Sequence, residues 1–166
     1  MSTKSSATIA ELEKHADTIR ATLRVPKQSE MFRCAVEAGY LTALADGVVE
    51  ATETEALVTA VEILSVGAII EWELDALVEA CKERLNIEGA NACATRVGKE
   101  LGALGQAEAG ILVAAVVARA ARKIEKREAE VLKAIGGAAG LTSEQVATIV
   151  KRAKSLVGDG QSIPPR

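Results

Sequence analysis

The chain has 166 residues, 49 % of them hydrophobic, and a formal net charge of −3 at pH 7. This length suffices for one domain with a well-buried core. Aromatic residues make up only 2 % of the chain, which argues against sites that stack haem, sugars or bases on aromatic rings. The basic excess typical of nucleic-acid-binding domains is also missing, so we expect no nucleic-acid partner.

The N-terminal residues have the spacing of a polar, amphipathic helix over 7–23 and not the basic-then-apolar pattern of a signal peptide. The longest apolar runs, such as 110–118, are much shorter than the ~20 residues that cross a bilayer. These features predict a cytoplasmic protein. We expect a single domain over 1–158, followed by a disordered tail over 159–166, where no core-forming pattern is present.

Apolar residues at three-and-four spacing predict an all-α fold of about seven helices, and no alternating β pattern occurs. After 7–23, the expected helices cover 29–45, 52–67, 70–85, 93–104, 106–121, 128–135 and 142–156. Thr52 with Glu55, and Thr142 with Gln145, have the spacing of capping boxes. Gly136, Gly137 and Gly140 are expected to break the helix that begins near Glu128.

The three cysteines lie at apolar helical positions without paired spacing. They are Cys34, Cys81 and Cys93. This placement is typical of reduced cysteines in a core and not of a disulfide or a metal site. The single histidine, His15, lies in the predicted outer helix with no serine or cysteine partner, so nucleophilic catalysis of the usual kind is not expected.

Two segments 75 positions apart match each other. In the first, an apolar helix leads into DGVVEATETEAL from Asp46; in the second, a similar helix leads into ARKIEKREAEVL from Ala121. The alignment places Glu50 over Glu125 and Glu53 over Glu128. The repeat predicts two related halves, about 29–66 and 106–155. Their small-residue helices, 29–45 and 106–121, are expected to pack against each other.

A buried helix that ends in Ala-Asp-Gly and leads into an acidic helix start, repeated after two further helices, resembles the tellurite-resistance TerB-like family. The resemblance covers about residues 29–155 through ALADGVVEATETEAL, AARKIEKREAEVL and GGAAGLTSEQVATIV. It implies two halves related by a pseudo-two-fold axis around a central antiparallel helix pair. It also implies a non-enzymatic role in a tellurite or chemical stress response, exerted through other stress-response proteins, often at the inner membrane surface.

The same resemblance implies a divalent-cation site built from acidic residues of both halves. The implied ligands are Asp46, Glu50, Glu53, Glu125 and Glu128. Carboxylate oxygens suit Ca²⁺, Mg²⁺ or Mn²⁺. The sequence departs from the family where the second Asp-Gly is expected, since it has Ala121 and Arg122 there, with Arg119 just before. We therefore hypothesise that the site is weakened or lost, with Arg119 or Arg122 as the counter-ion of the carboxylates.

Two alternatives stay open at this point. Acidic residues at helix starts are also favoured by capping and by the helix dipole alone. If the acidic cluster does bind a cation, the protein is better described as a divalent-metal sensor; a metal-dependent hydrolase that uses the same acids is a weaker third reading.

Charge is distributed unevenly along the chain. Residues 46–90 contain eleven acids and two bases, whereas residues 119–133 contain six bases and three acids. This polarity predicts an acidic face and a basic face that contact partner proteins. Homo-oligomerisation is left open.

Overall fold

The computed structural model describes residues 12, 14, 28–46, 49–65, 71–121 and 125–157. Within these residues the chain forms helices and no strands, which confirms the all-α prediction of about seven helices. The helices are α1 (Gln28–Ala43), α2 (Ala51–Ser65), α3 (Glu71–Glu88), α4 (Ala90–Ala103), α5 (Ala107–Ala121), α6 (Lys126–Ala138) and α7 (Ser143–Val157), with a 3₁₀ turn (Leu44–Asp46) after α1. The predicted helix over 7–23 lies almost entirely outside the described residues, and the tail over 159–166 lies wholly outside them.

Helices α1 and α5 form the centre of the core. Every residue over 110–120 is buried, and so is every residue over 31–43 except Arg33. The two helices pack closely, since a Cβ atom added to Gly39 would lie 3.0 Å from Val117 Cγ1 and 3.5 Å from the Ala114 carbonyl oxygen. The predicted contact between these two small-residue helices is therefore confirmed. The two-fold relation between the halves stays a prediction.

The remaining helices surround this pair. Helices α2 and α7 pack on α5, while α3, α4 and α6 contact α1, and α4 packs closely on α6. Gly98 permits the last contact, because a Cβ there would overlap the Ile135 carbonyl oxygen and the Ala138 side chain. None of the described helices is both long and apolar enough to cross a bilayer.

The prediction that Gly136 and Gly137 break a helix is wrong. Helix α6 continues through both to Ala138, and the chain turns at Gly140, which has a φ of +99°. A Cβ at Gly136 would overlap the Val146 side chain of α7. Gly136 therefore serves the close approach of two helices, a role that helix propensity does not indicate.

The helix starts confirm one predicted capping box and correct the other. At α7, the Thr142 N–H donates to Gln145 Oε1 (2.8 Å) and the Gln145 N–H donates to Thr142 Oγ1 (3.1 Å), as predicted. At α2, the helix begins at Ala51, and the Glu50 N–H donates to Glu53 Oε1. The expected pairing of Thr52 with Glu55 was wrong by two residues, because Glu53 already occupies the N3 position from which a side chain caps the helix.

Candidate functional site

The acidic residues predicted as metal ligands form the same local structure at both helix starts. The Glu50 N–H donates to Glu53 Oε1 at 2.9 Å, and the Glu125 N–H donates to Glu128 Oε1 at 2.9 Å. Each bond satisfies a backbone N–H near the helix start for which the helix offers no backbone carbonyl as a partner. The two helix starts therefore share one capping hydrogen bond, which also occurs at Thr142, and one oxygen of each N3 carboxylate is committed to capping.

One element of the first half of the predicted cation site contacts a helix of the second half. The 3₁₀ turn that contains Asp46 contacts α6, at whose start Glu125 and Glu128 lie. Glu128 is only 2 % exposed, whereas Glu50 and Glu125 are exposed. In the part of the chain that the structure describes, no three His, Cys, Asp or Glu residues are grouped so as to hold a metal ion. The side chain of Asp46 is outside that part, so the ligand set stays a prediction.

One of the two arginines hypothesised as counter-ions is buried. Arg119, in the last turn of α5, is 4 % exposed. A guanidinium at such a position requires compensating carboxylate or carbonyl oxygens around it. Its burial agrees with the counter-ion hypothesis, which places a cation inside the fold; which carboxylate it compensates stays a prediction. Arg122 lies outside the described residues.

A buried carboxylate, which was not predicted from the sequence, joins three helices. Glu37 of α1 is 5 % exposed and accepts hydrogen bonds from Arg84 of α3 and Arg96 of α4. Arg84 donates from Nη2 to Oε1 (3.0 Å) and from Nε to Oε2 (3.3 Å). Arg96 donates from Nη2 to Oε2 (2.6 Å) and from Nη1 to Oε1 (3.4 Å). Both guanidiniums therefore hold the same carboxylate in a two-pronged geometry.

Further acids surround Arg96. Its Nε donates to Glu88 Oε1 at 3.3 Å, and its Nη1 lies 3.8 Å from Glu100 Oε2. The hydrogen bonds to Glu37 raise the pKa of both Arg84 and Arg96 above the ordinary arginine value. Both side chains therefore stay cationic at every physiological pH. A clue was present in the sequence, because Glu37 is a charged residue within an apolar helix and such a residue needs a partner when buried.

Glu37, Arg84, Arg96, Glu88 and Glu100 form an ion-pair network, and the three cysteines lie around it. The Cys93 thiol donates to Glu88 Oε1 at 3.4 Å, and the Cys34 thiol donates to Glu100 Oε1 at 3.6 Å. All three are free and buried, as predicted. Burial raises the pKa of Cys34 and of Cys81 to about 12, and burial is also the main cause that raises the pKa of Cys93. The nucleophile and metal ligand is the thiolate, so these protonated thiols are unsuited to either role.

Exposed charge of one sign predominates on each of two helices, although α6 also exposes Glu130. On α3, Asp75, Glu79 and Glu83 are exposed at four-residue spacing, so they lie along one stripe, which we call the acidic stripe. Lys82 offsets it in part, through a 3.3 Å ion pair with Glu79. On α6, three cations are exposed. They are Lys126, Arg127 and Lys133. The predicted acidic region and the part of the predicted basic region that lies on α6 are therefore on different helices and face solvent, whereas Arg119 of the predicted basic region is buried.

Two clefts open between the helices. The first, which we call the α1/α4/α6 groove, has a volume of about 420 Å³ and an apolar lining that includes Leu41, Ala94 and Val131. Arg127 of α6 also lines it. The second, of about 430 Å³, lies where the turn between α4 and α5 meets α7, and it contains Glu108 and Arg152. Neither cleft contains a residue of the ion-pair network.

Comparisons with known proteins identify no relative of this chain. No family model matches the chain, and neither the curated proteins nor the solved structures provide a match. The likeness to the TerB-like family therefore depends on the sequence motifs alone.

Proposed function

We propose that this protein is a non-enzymatic interaction module that binds other proteins through the charged outer faces of α3 and α6. The observation that carries the proposal is the uneven distribution of exposed charge, with the acidic stripe on one helix and three cations, Lys126, Arg127 and Lys133, against Glu130 on another. Surfaces of one sign attract and orient partners of the opposite sign, which raises association rates and excludes partners of like charge.

The chemistry of the interior also supports a binding role over a catalytic one. Glu37 is held by two guanidiniums, and the three thiols are buried with raised pKa values. A general base needs access to its substrate and a pKa near the working pH, and a nucleophile needs activation. These groups instead join α1, α3 and α4.

The biological setting that we propose is a cytoplasmic response to tellurite or related chemical stress, with other stress-response proteins as partners, some of them at the inner membrane surface. Its support is the resemblance to the TerB-like family.

Capture of partners from stressed cells tests the proposal. The test variant is Glu79→Lys with Glu83→Lys, which reverses the acidic stripe. The control, Glu55→Lys with Glu144→Lys, makes the same charge change at exposed positions of α2 and α7. We expect the test variant to lose partners that wild type and control retain, with unchanged helical circular dichroism. Equal capture by all three proteins would contradict the proposal.

A divalent-metal sensor is the second candidate function. The observation that favours it is the contact between the 3₁₀ turn that contains Asp46 and α6, the helix that begins next to Glu125 and carries Glu128. Calorimetric titration of Ca²⁺, Mg²⁺ and Mn²⁺ into wild type and Asp46→Ala tests it. One-site binding that the substitution abolishes would support the sensor. Absence of binding to wild type would exclude these ions as ligands and leave the carboxylates with their capping role.

A further inference from the structure

We propose that the α1/α4/α6 groove binds Ile87 of a second copy of this chain, so that the protein forms a two-fold symmetric dimer. The inference rests on the proposed function, because it uses the outer face of α3, and it goes further by naming a partner for that face. Three observations carry it: an apolar groove, an exposed apolar residue beside it, and opposite charges next to each.

The groove is open to solvent and apolar at its base. Leu41 and Ala94 are buried, and Leu44 and Val131 are partly exposed; all four line its volume of about 420 Å³. Its rim is formed on one side by Arg127, Glu130 and Ala134, all exposed. An opening of this kind accommodates a branched aliphatic side chain that brings little polar surface with it.

Among the residues that the structure describes, Ile87 is suited to enter such a groove. It lies in the last turn of α3 and is 83 % exposed, and among the described residues it is the exposed large hydrophobic side chain. The side chains of Leu74, Val78 and Cys81 on the same helix are buried. A large aliphatic group on an otherwise polar face is the usual form of an anchor residue, which becomes buried only in a complex.

The positions of Ile87 and the groove favour a closed dimer. Ile87 precedes Ala90 by three residues, and Ala90 lines the groove. The anchor and the groove therefore share one edge of the molecule. A two-fold axis at this edge lets each copy insert its Ile87 into the groove of the other, and such a reciprocal contact closes after two subunits instead of continuing into a filament.

Charge complementarity points to the same occupant. Glu83 lies one helical turn before Ile87, on the same face of α3, and both side chains are exposed. Lys126 and Arg127 begin α6 beside the groove, and Arg127 lines it together with the exposed Glu130, so the two cations outnumber this exposed acid at this point of α6. When Ile87 of one copy enters the groove of the other, Glu83 comes near these cations. Such rim charges set the orientation of a complex more than its strength.

Sedimentation velocity on the purified chain tests the dimer. A single anchor in a shallow groove buries less than the roughly 800 Å² per partner of a stable complex. The dimer should therefore be weak, and the concentration series must reach the millimolar range. We expect a shift from monomer to dimer with rising concentration. Ile87→Ser and Ala134→Glu should each weaken dimerisation about tenfold or more, because one removes the anchor and the other places a charge in the groove.

Matched variants keep this test independent of folding. Ile87 and Ala134 are exposed, so neither substitution disturbs the core. Ala147→Ser, at an exposed position of α7, is the control and should dimerise like wild type. Glu83→Arg and Arg127→Glu should each weaken the dimer, and the double variant should recover it, since the reversed charges attract again.

A chain that stays monomeric over the whole concentration range would overturn the inference, and so would a dimer that Ile87→Ser and Ala134→Glu leave unchanged. Monomeric protein whose capture of other proteins still depends on Glu79 and Glu83 would overturn only the self-association. The proposed function fails separately, when the reversal of those two charges leaves partner capture unchanged.

Discussion

The two sides of helix α3 use charge in opposite ways. On the side that faces the core, Arg84 forms an ion pair with the buried carboxylate of Glu37, and Arg96 of α4 forms a second ion pair with the same carboxylate. On the side that faces solvent, Asp75, Glu79 and Glu83 follow each other with the same sign. Pairing inside joins three helices, whereas like charges at four-residue spacing reduce the stability of a helix. The difference fits a structural role for the inner charges and the role in recognition that we propose for the outer ones.

The largest expected effect comes from the inner side. Glu37→Gln removes the carboxylate charge and leaves Arg84 and Arg96 without their shared partner, so we expect unfolding to become easier by about 3 kcal/mol. Urea denaturation followed by circular dichroism measures it. Glu83→Gln on the outer side should change stability by less than about 0.5 kcal/mol. Equal effects of the two substitutions would remove the distinction between the two sides.

Two glycine substitutions test whether a buried and an exposed position also differ in their effect on stability elsewhere in the fold. Gly98→Ala would press a Cβ against the Ile135 carbonyl oxygen, and we expect a loss of about 1–3 kcal/mol. Gly137 has no atom within 4 Å of an added Cβ, so Gly137→Ala should stabilise α6 by about 0.5–1 kcal/mol. Thermal unfolding of both variants measures the contrast, and a stable Gly98→Ala protein would contradict the close contact of α4 with α6.

The buried thiols beside Glu37 should make the stability of the fold depend on pH. Burial raises the pKa of Cys34 and Cys81 from 9.0 to about 12, so between these values the unfolded chain loses protons that the folded chain keeps. Stability should therefore be constant below about pH 9 and fall as the pH rises toward 12. Unfolding free energies measured at pH 7, 9 and 10.5 test this. In Cys34→Ala with Cys81→Ala the fall should be smaller, and a fall of the same size would assign it to other groups.

Thiol labelling offers a kinetic test of the same pair. At pH 8 the thiolate fraction of a group with a pKa of about 12 is roughly a thousandfold lower than at a pKa of 9, and burial slows access further. Folded protein should therefore react with a thiol-specific reagent far more slowly than protein in urea. Rapid labelling of the folded chain would contradict the placement of these cysteines in the core.

The smallest effect is expected on the outer side, and its sign is informative. Glu83→Lys places a cation one turn after Glu79, which replaces repulsion with an attractive pair and should stabilise α3 by about 0.2–0.5 kcal/mol. The same variant should weaken partner capture. Stability that rises while binding falls is expected of a surface kept for recognition, whereas a loss of both would assign the acidic stripe a structural role.

Local sequence features predicted much of the helical structure. The helix expected over 106–121 is observed as Ala107–Ala121, and the capping box of Thr142 with Gln145 is present. Both depend on residues no more than four positions apart, whose geometry the helix itself determines. The acidic residues at Glu53 and Glu128 were also recognised, although the hydrogen bonds that they form in the structure are caps.

The ion-pair network could not be predicted in the same way. Glu37 is 47 positions from Arg84 and 59 from Arg96, and no local pattern selects these two arginines among the chain's cations. The role of Gly136 has the same origin, since only the contact with Val146 of the next helix requires a glycine there.

The sequence by itself determined the helical class, most helix positions, the burial of the cysteines, the 75-residue repeat and the separation of charge along the chain. Each follows from periodicity, capping or composition, which act over short distances in the chain. The tertiary structure decided which carboxylate is buried between which arginines and which glycines allow crossing helices to pack closely. It also decided which apolar residue remains exposed beside a groove. These features depend on how helices distant in sequence pack together, because burial and pairing are properties of the assembled core.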